Sequence, residues 1–395
     1  MNMLVRSDLA GDTIARVEAI PVFLPCELKI GAIHRSTELS AVVVEIETAD
    51  GAIGHGFTAI TDEEVVSAAV NSLVAPNLVG MPVMSREAVA ERLYWLLSPR
   101  GQTGYASHVA SAIDIALWDI AGKKLQMPVW RLLGGARSKV ETYVTFGFAA
   151  LDREELAEAA AHLSRQGQKR LKMVVGHHAL ARRDSGRSLD AVIREDEARI
   201  RAVRMAVGDD VDLFIDANCS LDKFHAQLLA ERIADCDIRF FEEPLRGNDV
   251  GSLADLRRKI RIPVAAGQNE GQLFRYRDLL MHQAVDVLQP NVCIGGGYTM
   301  GAKIAGMAQA FNTTIDNGGA FPFHNMHLHA AMANGGLVEW HLVSVELCKG
   351  VFEGLTALGE GEIALPETPG LGFSMSPERK AELLKMPTSM GRGKG

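Results

Sequence analysis

The chain has 395 residues, 47% of them apolar, enough to bury a large core and to build two domains. A net charge of −8, with no block of like charges and no basic patch, argues against a nucleic-acid partner, and no apolar run approaches a membrane span. Cys26, Cys219, Cys236, Cys293 and Cys348 lie far apart without a C-x-x-C pair, which suits a reduced, cytoplasmic protein better than a disulfide framework or a zinc site.

Residues 1–12 and 386–395 read as loose ends, and no signal-peptide pattern opens the chain. Ile14 to Val22 has a strand pattern, followed by a predicted loop from Pro25 to Thr37 that carries Lys29, His34 and Arg35. Ala41–Thr48 and Ile53–Phe57 flank Asp50-Gly51 and read as a hairpin. Helical periodicity follows at 62–76, 85–97 and 106–125. Strands first and helices after describe a small α+β domain over residues 1–138.

From Lys139 the pattern alternates. Strands are expected at Val140–Thr145, Arg170–Val175, Val211–Ile215, Ile238–Phe241, Pro263–Ala266, Val285–Gln289, Thr313–Ile315 and Leu337–Trp340. Helical stretches at 153–165, 188–207, 221–236, 249–260 and 299–311 lie between them. Such alternation predicts a (β/α)8-type barrel over 139–360, with a weak last covering helix. Residues 361–395 include an extended run, Leu365–Gly372, that is expected to return to the first domain.

In a barrel of this kind the reactive groups stand at the carboxyl ends of the strands. Asp216, Glu242 and Gln268 each follow an apolar strand, and they are equally spaced along the chain. A lone carboxylate in such a place caps the next helix as readily as it binds anything. Three oxygen-bearing side chains in register point instead to a shared hard cation such as Mg2+. The same rule selects Lys172 and Val174, Asn218, Glu243, Glu270, Asn291, Asp316, Asn317 and Glu339.

The run Ala110–Lys123, continued by Pro128–Gly134, resembles the signature helix of the mandelate racemase and muconate lactonizing enzyme branch of the enolase superfamily. Asp216-Ala217-Asn218, Glu242-Glu243-Pro244, Ile294-Gly295-Gly296 and Pro369-Gly370-Leu371-Gly372 extend the likeness over about residues 14–375. The resemblance implies an α+β capping domain over a (β/α)7β TIM-like barrel, with Mg2+ at the barrel mouth. It also implies a small carboxylate substrate whose α-proton is removed, the developing negative charge facing the cation. Relatives of this kind form symmetric assemblies, so a homo-oligomer is expected.

The chain departs from that pattern at several places. Gln268 stands where a third acidic ligand is usual, and Glu270, of the same strand parity, is an alternative that reads more simply as a cap on the next helix. Lys172-Met173-Val174 replaces Lys-x-Lys; Val174 cannot take a proton, and Lys172 matches the lysine that contacts the substrate carboxylate. The competing reading pairs Lys172 with Asp216 or Glu242. Asn291 and Asn317 occupy the places of an aspartate and a histidine. His324 and His327, one helical turn apart, are offered in exchange, though either serves equally well as packing. His329, His177 and His178 read as bystanders, and Gly295-Gly296-Gly297 lacks the spacing of a dinucleotide fingerprint.

The expectation is therefore a Mg2+-dependent lyase or isomerase acting on a small hydroxylated carboxylate, first of all an acid-sugar-type dehydratase. Asp216, Glu242 and Gln268 hold the metal; Lys172, His324 and Glu339 are catalytic; His34, Asn218, Asn291 and Asn317 contact the substrate. The alternatives are a racemase, epimerase or cycloisomerase, or a carboxylate-binding barrel without the chemistry.

Overall fold

A computed structural model describes residues 12–97, 103–176 and 186–390. The first domain holds one antiparallel sheet of β1 (Ile14–Ile30), β2 (Ile33–Thr48) and β3 (Ile53–Ala59). The loop expected at 25–37 is instead the far end of the β1–β2 hairpin, paired without a break from Arg16↔Glu47 to Ile30↔Ile33. Leu24, Cys26, Leu28 and Ile30 are buried on one face while Pro25 and Lys29 face outwards, a strict alternation that outweighs the proline. Gly31, at φ +57°, makes the turn.

The signature helix Tyr105–Lys124 lies across β3. Glycines at 54 and 56 permit that approach, since a Cβ at Gly56 would stand 1.7 Å from the Ala112 carbonyl. The other side of the helix joins the barrel: Ser111 Oγ accepts from Gly296 N at 2.8 Å, and the buried Asp114 accepts from Thr299 N at 2.9 Å.

Eight parallel strands form the barrel: β4 (Lys139–Gly147), β5 (Arg170–Val174), β6 (Asp212–Asp216), β7 (Ile238–Glu242), β8 (Val264–Ala266), β9 (Val287–Leu288), β10 (Thr314–Ile315) and β11 (Val338–His341). Each pairs with its predecessor in space, and β11 pairs with β4. Asn317 N→Leu337 O at 2.8 Å and Gly336 N→Ile315 O at 2.7 Å join β10 to β11 and close the ring. Tyr143, Phe214, Phe240 and Ala265 fill the barrel interior, so it is a packed core rather than a pore.

The covering helices follow their caps. Asp152 and Glu155 form a reciprocal capping box at the start of Arg153–Arg165. The last cover, which is faint in the sequence, is the eight-residue helix Leu342–Lys349, preceded by the wholly buried helix Pro322–Ala331. Beyond them β12 (Glu362–Ala364) lies antiparallel on β4, and Leu371 N donates to Asp119 Oδ1 of the signature helix at 2.9 Å. Lys380, on the helix Pro377–Leu383, ion-pairs with Glu18 and Glu45 of the first sheet.

Candidate active site

Strand parity brings Lys172, Asp216, Glu242 and Glu339 to one point inside the barrel mouth. Lys172 Nζ lies 2.7 Å from Glu242 Oε2, 3.0 Å from Glu339 Oε1 and 3.3 Å from Asp216 Oδ2, and all four residues are buried. Burial alone would lower the lysine pKa, but Glu242, Glu339 and Asp216 outweigh it and hold the ammonium protonated. Burial works to raise Glu339 too, yet Lys172 overcomes it and keeps this carboxyl below the usual range. Glu242 is driven well upwards, by burial first and by Asp216 second. Three carboxyl groups share one ammonium, so a fully ionised cluster would carry excess negative charge, and the upward push on Glu242 reflects that crowding.

That excess has a direction. Glu242 Oε2 takes Lys172 and the Gln289 amide (2.9 Å), whereas Glu242 Oε1 is buried without a hydrogen-bond partner. A Cβ on Gly318 would sit 3.1 Å from that orphaned oxygen, and one on Gly319 would sit 2.6 Å from Gln268 Oε1. The two glycines therefore leave open the space beside both oxygens.

Gln268 is oriented by its neighbour. Its amide nitrogen donates to Glu243 Oε2 at 2.9 Å, which turns its carbonyl oxygen the other way. Glu243 also accepts from Asn248 and Asn269, and burial, helped by Asp216, pushes it up to about 7. Glu270, the alternative, pairs its carboxylate with Arg275 of the next helix at 3.0 Å.

Among the described residues no three His, Cys, Asp or Glu side chains gather as a metal cluster. The set here is two carboxylates and an amide oxygen, all hard donors. With an unpartnered oxygen, a glycine-lined space and surplus negative charge, it suits an oxygen-seeking divalent cation.

Above this floor opens a cavity of about 200 Å³, with Thr145, Val174, Asp216, Asn218, Gln268 and Glu339 among its walls. Asn218, at φ +47°, stands on the wall. The other three expected substrate residues are elsewhere. Asn291 donates to the carbonyls of Gly318 and Gly319 and accepts from Cys293 N; Asn317 donates to Gly318 O and accepts from Glu339 N. Both shape the loop after β10 and are buried against backbone groups. His34 is on β2, paired with Glu27 and largely exposed, while Arg35 pairs with Glu155 and Gly31 rests against His162. The hairpin tip is thus seated on the barrel's first covering helix.

His324 is likewise displaced. It stacks on Phe57 at 4.9 Å between Phe352 and Phe373, fully buried, with both ring nitrogens unpartnered. Burial pulls it down to about 3, and His327 and His329 of the same helix fare alike. His177 and His178 lie outside the described residues. Two imidazoles that sequence reasoning misses do line the cavity: His108 of the signature helix and His341 on β11. A signal for His341 is present in the sequence, because it is two residues beyond Glu339 and so shares its face of the strand.

A closed barrel with an acidic, lysine-bearing mouth and a small sheet-and-helix cap defines the class of molecule. The chain belongs to the mandelate racemase and muconate lactonizing enzyme family: residues 12–134 match its N-terminal domain, and residues 154–379 match the enolase C-terminal domain-like family. It is 29% identical over 344 residues to arabinonate dehydratase of Saccharolobus solfataricus, spanning 85% of this chain and 88% of that one. Similarity to D-galactarolactone cycloisomerase of Agrobacterium fabrum is 34% over 275 residues, 69% of each chain. Among solved structures, a racemase from Streptomyces coelicolor A3(2) with bound magnesium superposes with a TM-score of 0.83 at 26% identity, covering 94% of this chain and 99% of that one.

Proposed function

We propose that this protein is a Mg2+-dependent dehydratase of small hydroxylated carboxylates, of the acid-sugar type. The observation that carries the reading is the mouth itself: the uncompensated carboxylate of Glu242, beside Asp216 and the Gln268 oxygen, under a small polar cavity. Asp216, Glu242 and Gln268 hold the Mg2+, which when bound supplies positive charge to the substrate carboxylate and so acidifies its α-carbon. Glu339 receives the α-proton, with the Lys172 ammonium 3.0 Å from its carboxylate. Glu339 reaches the cavity as an ionised carboxylate, and Lys172 behind it stabilises negative charge. The electron pair of the broken C–H bond forms a double bond to the β-carbon and expels its hydroxyl, which takes the proton now held by Glu339 and leaves as water. The resulting enol becomes a 2-keto-3-deoxy acid. Asn218 contacts the hydroxylated end of the substrate.

Dehydratase names among the relatives support this reading over simple racemisation. So does the place opposite Lys172, where Asn291 and Asn317 are bound to backbone and cannot exchange protons. Among the described residues no helix is long and apolar enough to cross a membrane, and the five thiols are free; a cytosolic location and assembly into a homo-oligomer are part of the same proposal. The test is a screen of acid sugars with Mg2+, read as 2-keto acid by carbonyl trapping. Product from at least one acid, abolished by chelation and by Glu339→Gln, is expected. A full acid-sugar panel without product contradicts the reading.

A further inference from the structure

His341 closes β11 and begins the helix Leu342–Lys349, and this double position fixes its chemistry. Its Nδ1 accepts the backbone N–H of Ser344 at 3.2 Å, capping the helix with an imidazole. A ring nitrogen that accepts cannot also carry a proton, so the proton of the neutral ring belongs to Nε2. The Phe148 ring packs against the imidazole at 5.0 Å, and the strand backbone is in register with Thr145. The ring lines the cavity, and among the described residues no hydrogen-bond partner faces Nε2.

The charge state follows from the same placement. Protonating Nδ1 would break the helix cap and set a cation against the positive end of the helix. Burial is the largest influence on the ring and lowers its pKa, Lys172 adds to that, and the carboxylates of Glu339 and Asp216 oppose it without prevailing. A neutral imidazole with its N–H turned to the substrate is a hydrogen-bond donor and neither base nor imidazolium acid.

We propose that His341 is a specificity-determining residue, a permanently neutral donor whose Nε2–H binds a hydroxyl oxygen of the substrate beside Glu339. The role rests on the dehydratase reading for the identity of its ligand, but its tautomer and charge do not. It explains why the acids accepted would be hydroxylated: without a hydroxyl oxygen the Nε2–H is left desolvated and unpaired, which penalises the deoxy analogue.

The first experiment needs no substrate. Nitrogen NMR of histidine-labelled full-length protein with Mg2+ present, assigned by comparison with His341→Asn, is expected to show Nε2–H and an unprotonated Nδ1 from pH 6 to 9. An Nδ1–H tautomer or an imidazolium at neutral pH overturns the proposal. His341→Asn keeps a capping oxygen for Ser344, so the variant is expected to fold. Its kcat/KM on the acid sugar identified by the screen falls about 10²-fold, with the pH–rate profile keeping its shape. Unchanged kcat/KM, or loss of a limb of that profile, refutes the donor role. If the screen finds no acid sugar, the dehydratase reading fails, while the NMR result still decides the state of His341.

Discussion

Lys172 is the residue on which the site's charge balance turns. Replacing it with Ala leaves three buried carboxylates facing one another, at a cost of about 3–5 kcal/mol. Turnover is expected to vanish and the melting temperature to drop, with part of that drop recovered on adding Mg2+. A variant as stable as the parent in chelator contradicts the charge count. Gly319 is the second pressure point: it lies at φ +75°, and a Cβ there would meet the Gln268 oxygen at 2.6 Å, so Gly319→Ala strains the backbone and fills the cation's space. Calorimetry is expected to find Mg2+ affinity lowered at least about tenfold; unchanged affinity would exclude this space as the cation site. The sequence makes Asp216, Glu242 and Gln268 legible because each closes an apolar strand at an equal interval, and Lys172 because it shares a strand face with Val174, the register partner of Asp216. Asn291 and Asn317 mislead for a physical reason. Their residue type suits a polyol, but the carbonyls of 318 and 319 consume them, in a loop that runs through left-handed Ala320 and Phe321.

At the scale of elements, the helix Pro322–Ala331 shows how a chemical motif becomes a packing one. His324, His327 and His329 sit neutral in the core, each held down to about 3 by burial. Unfolded histidines take a proton near pH 6.5, so the folded state loses stability as pH falls from there towards 3. Near pH 5.5 each histidine costs roughly 1.4 kcal/mol by this linkage. His324→Phe, which fits the box of Phe57, Phe352 and Phe373, is expected to keep activity and to melt higher than the parent, with a margin that widens as pH drops from 7 to 5. Lost activity in a folded variant would return His324 to the catalytic set. The β1–β2 hairpin is the complementary lesson. Pro25 and a polar tract conceal its alternation, and only pairing with a partner strand reveals that every second residue from Leu24 to Ile30 is core.

For the molecule as a whole, the two-domain plan and all eight barrel strands follow from periodicity, since a parallel ring buried on both faces needs apolar strands at regular intervals. What periodicity does not convey is how the cap is seated. That depends on single contacts across great sequence distance: Gly296 on Ser111, Thr299 on Asp114, and Leu371 on Asp119. These fix the signature helix, with His108, beside the barrel mouth, and so complete the cavity wall. In the proposed reaction Asp216, Glu242 and Gln268 gather a cation beneath a substrate whose α-proton passes to Glu339 beside the Lys172 ammonium. Proton NMR of acid sugars incubated with the enzyme in D2O tests it most directly. The α-proton signal of at least one acid is expected to be lost, by exchange or dehydration, with Mg2+ and not with chelator, and Lys172→Ala is expected to abolish the loss. Loss of that signal equally fast in chelator, or retention of the full rate in Lys172→Ala, would contradict it.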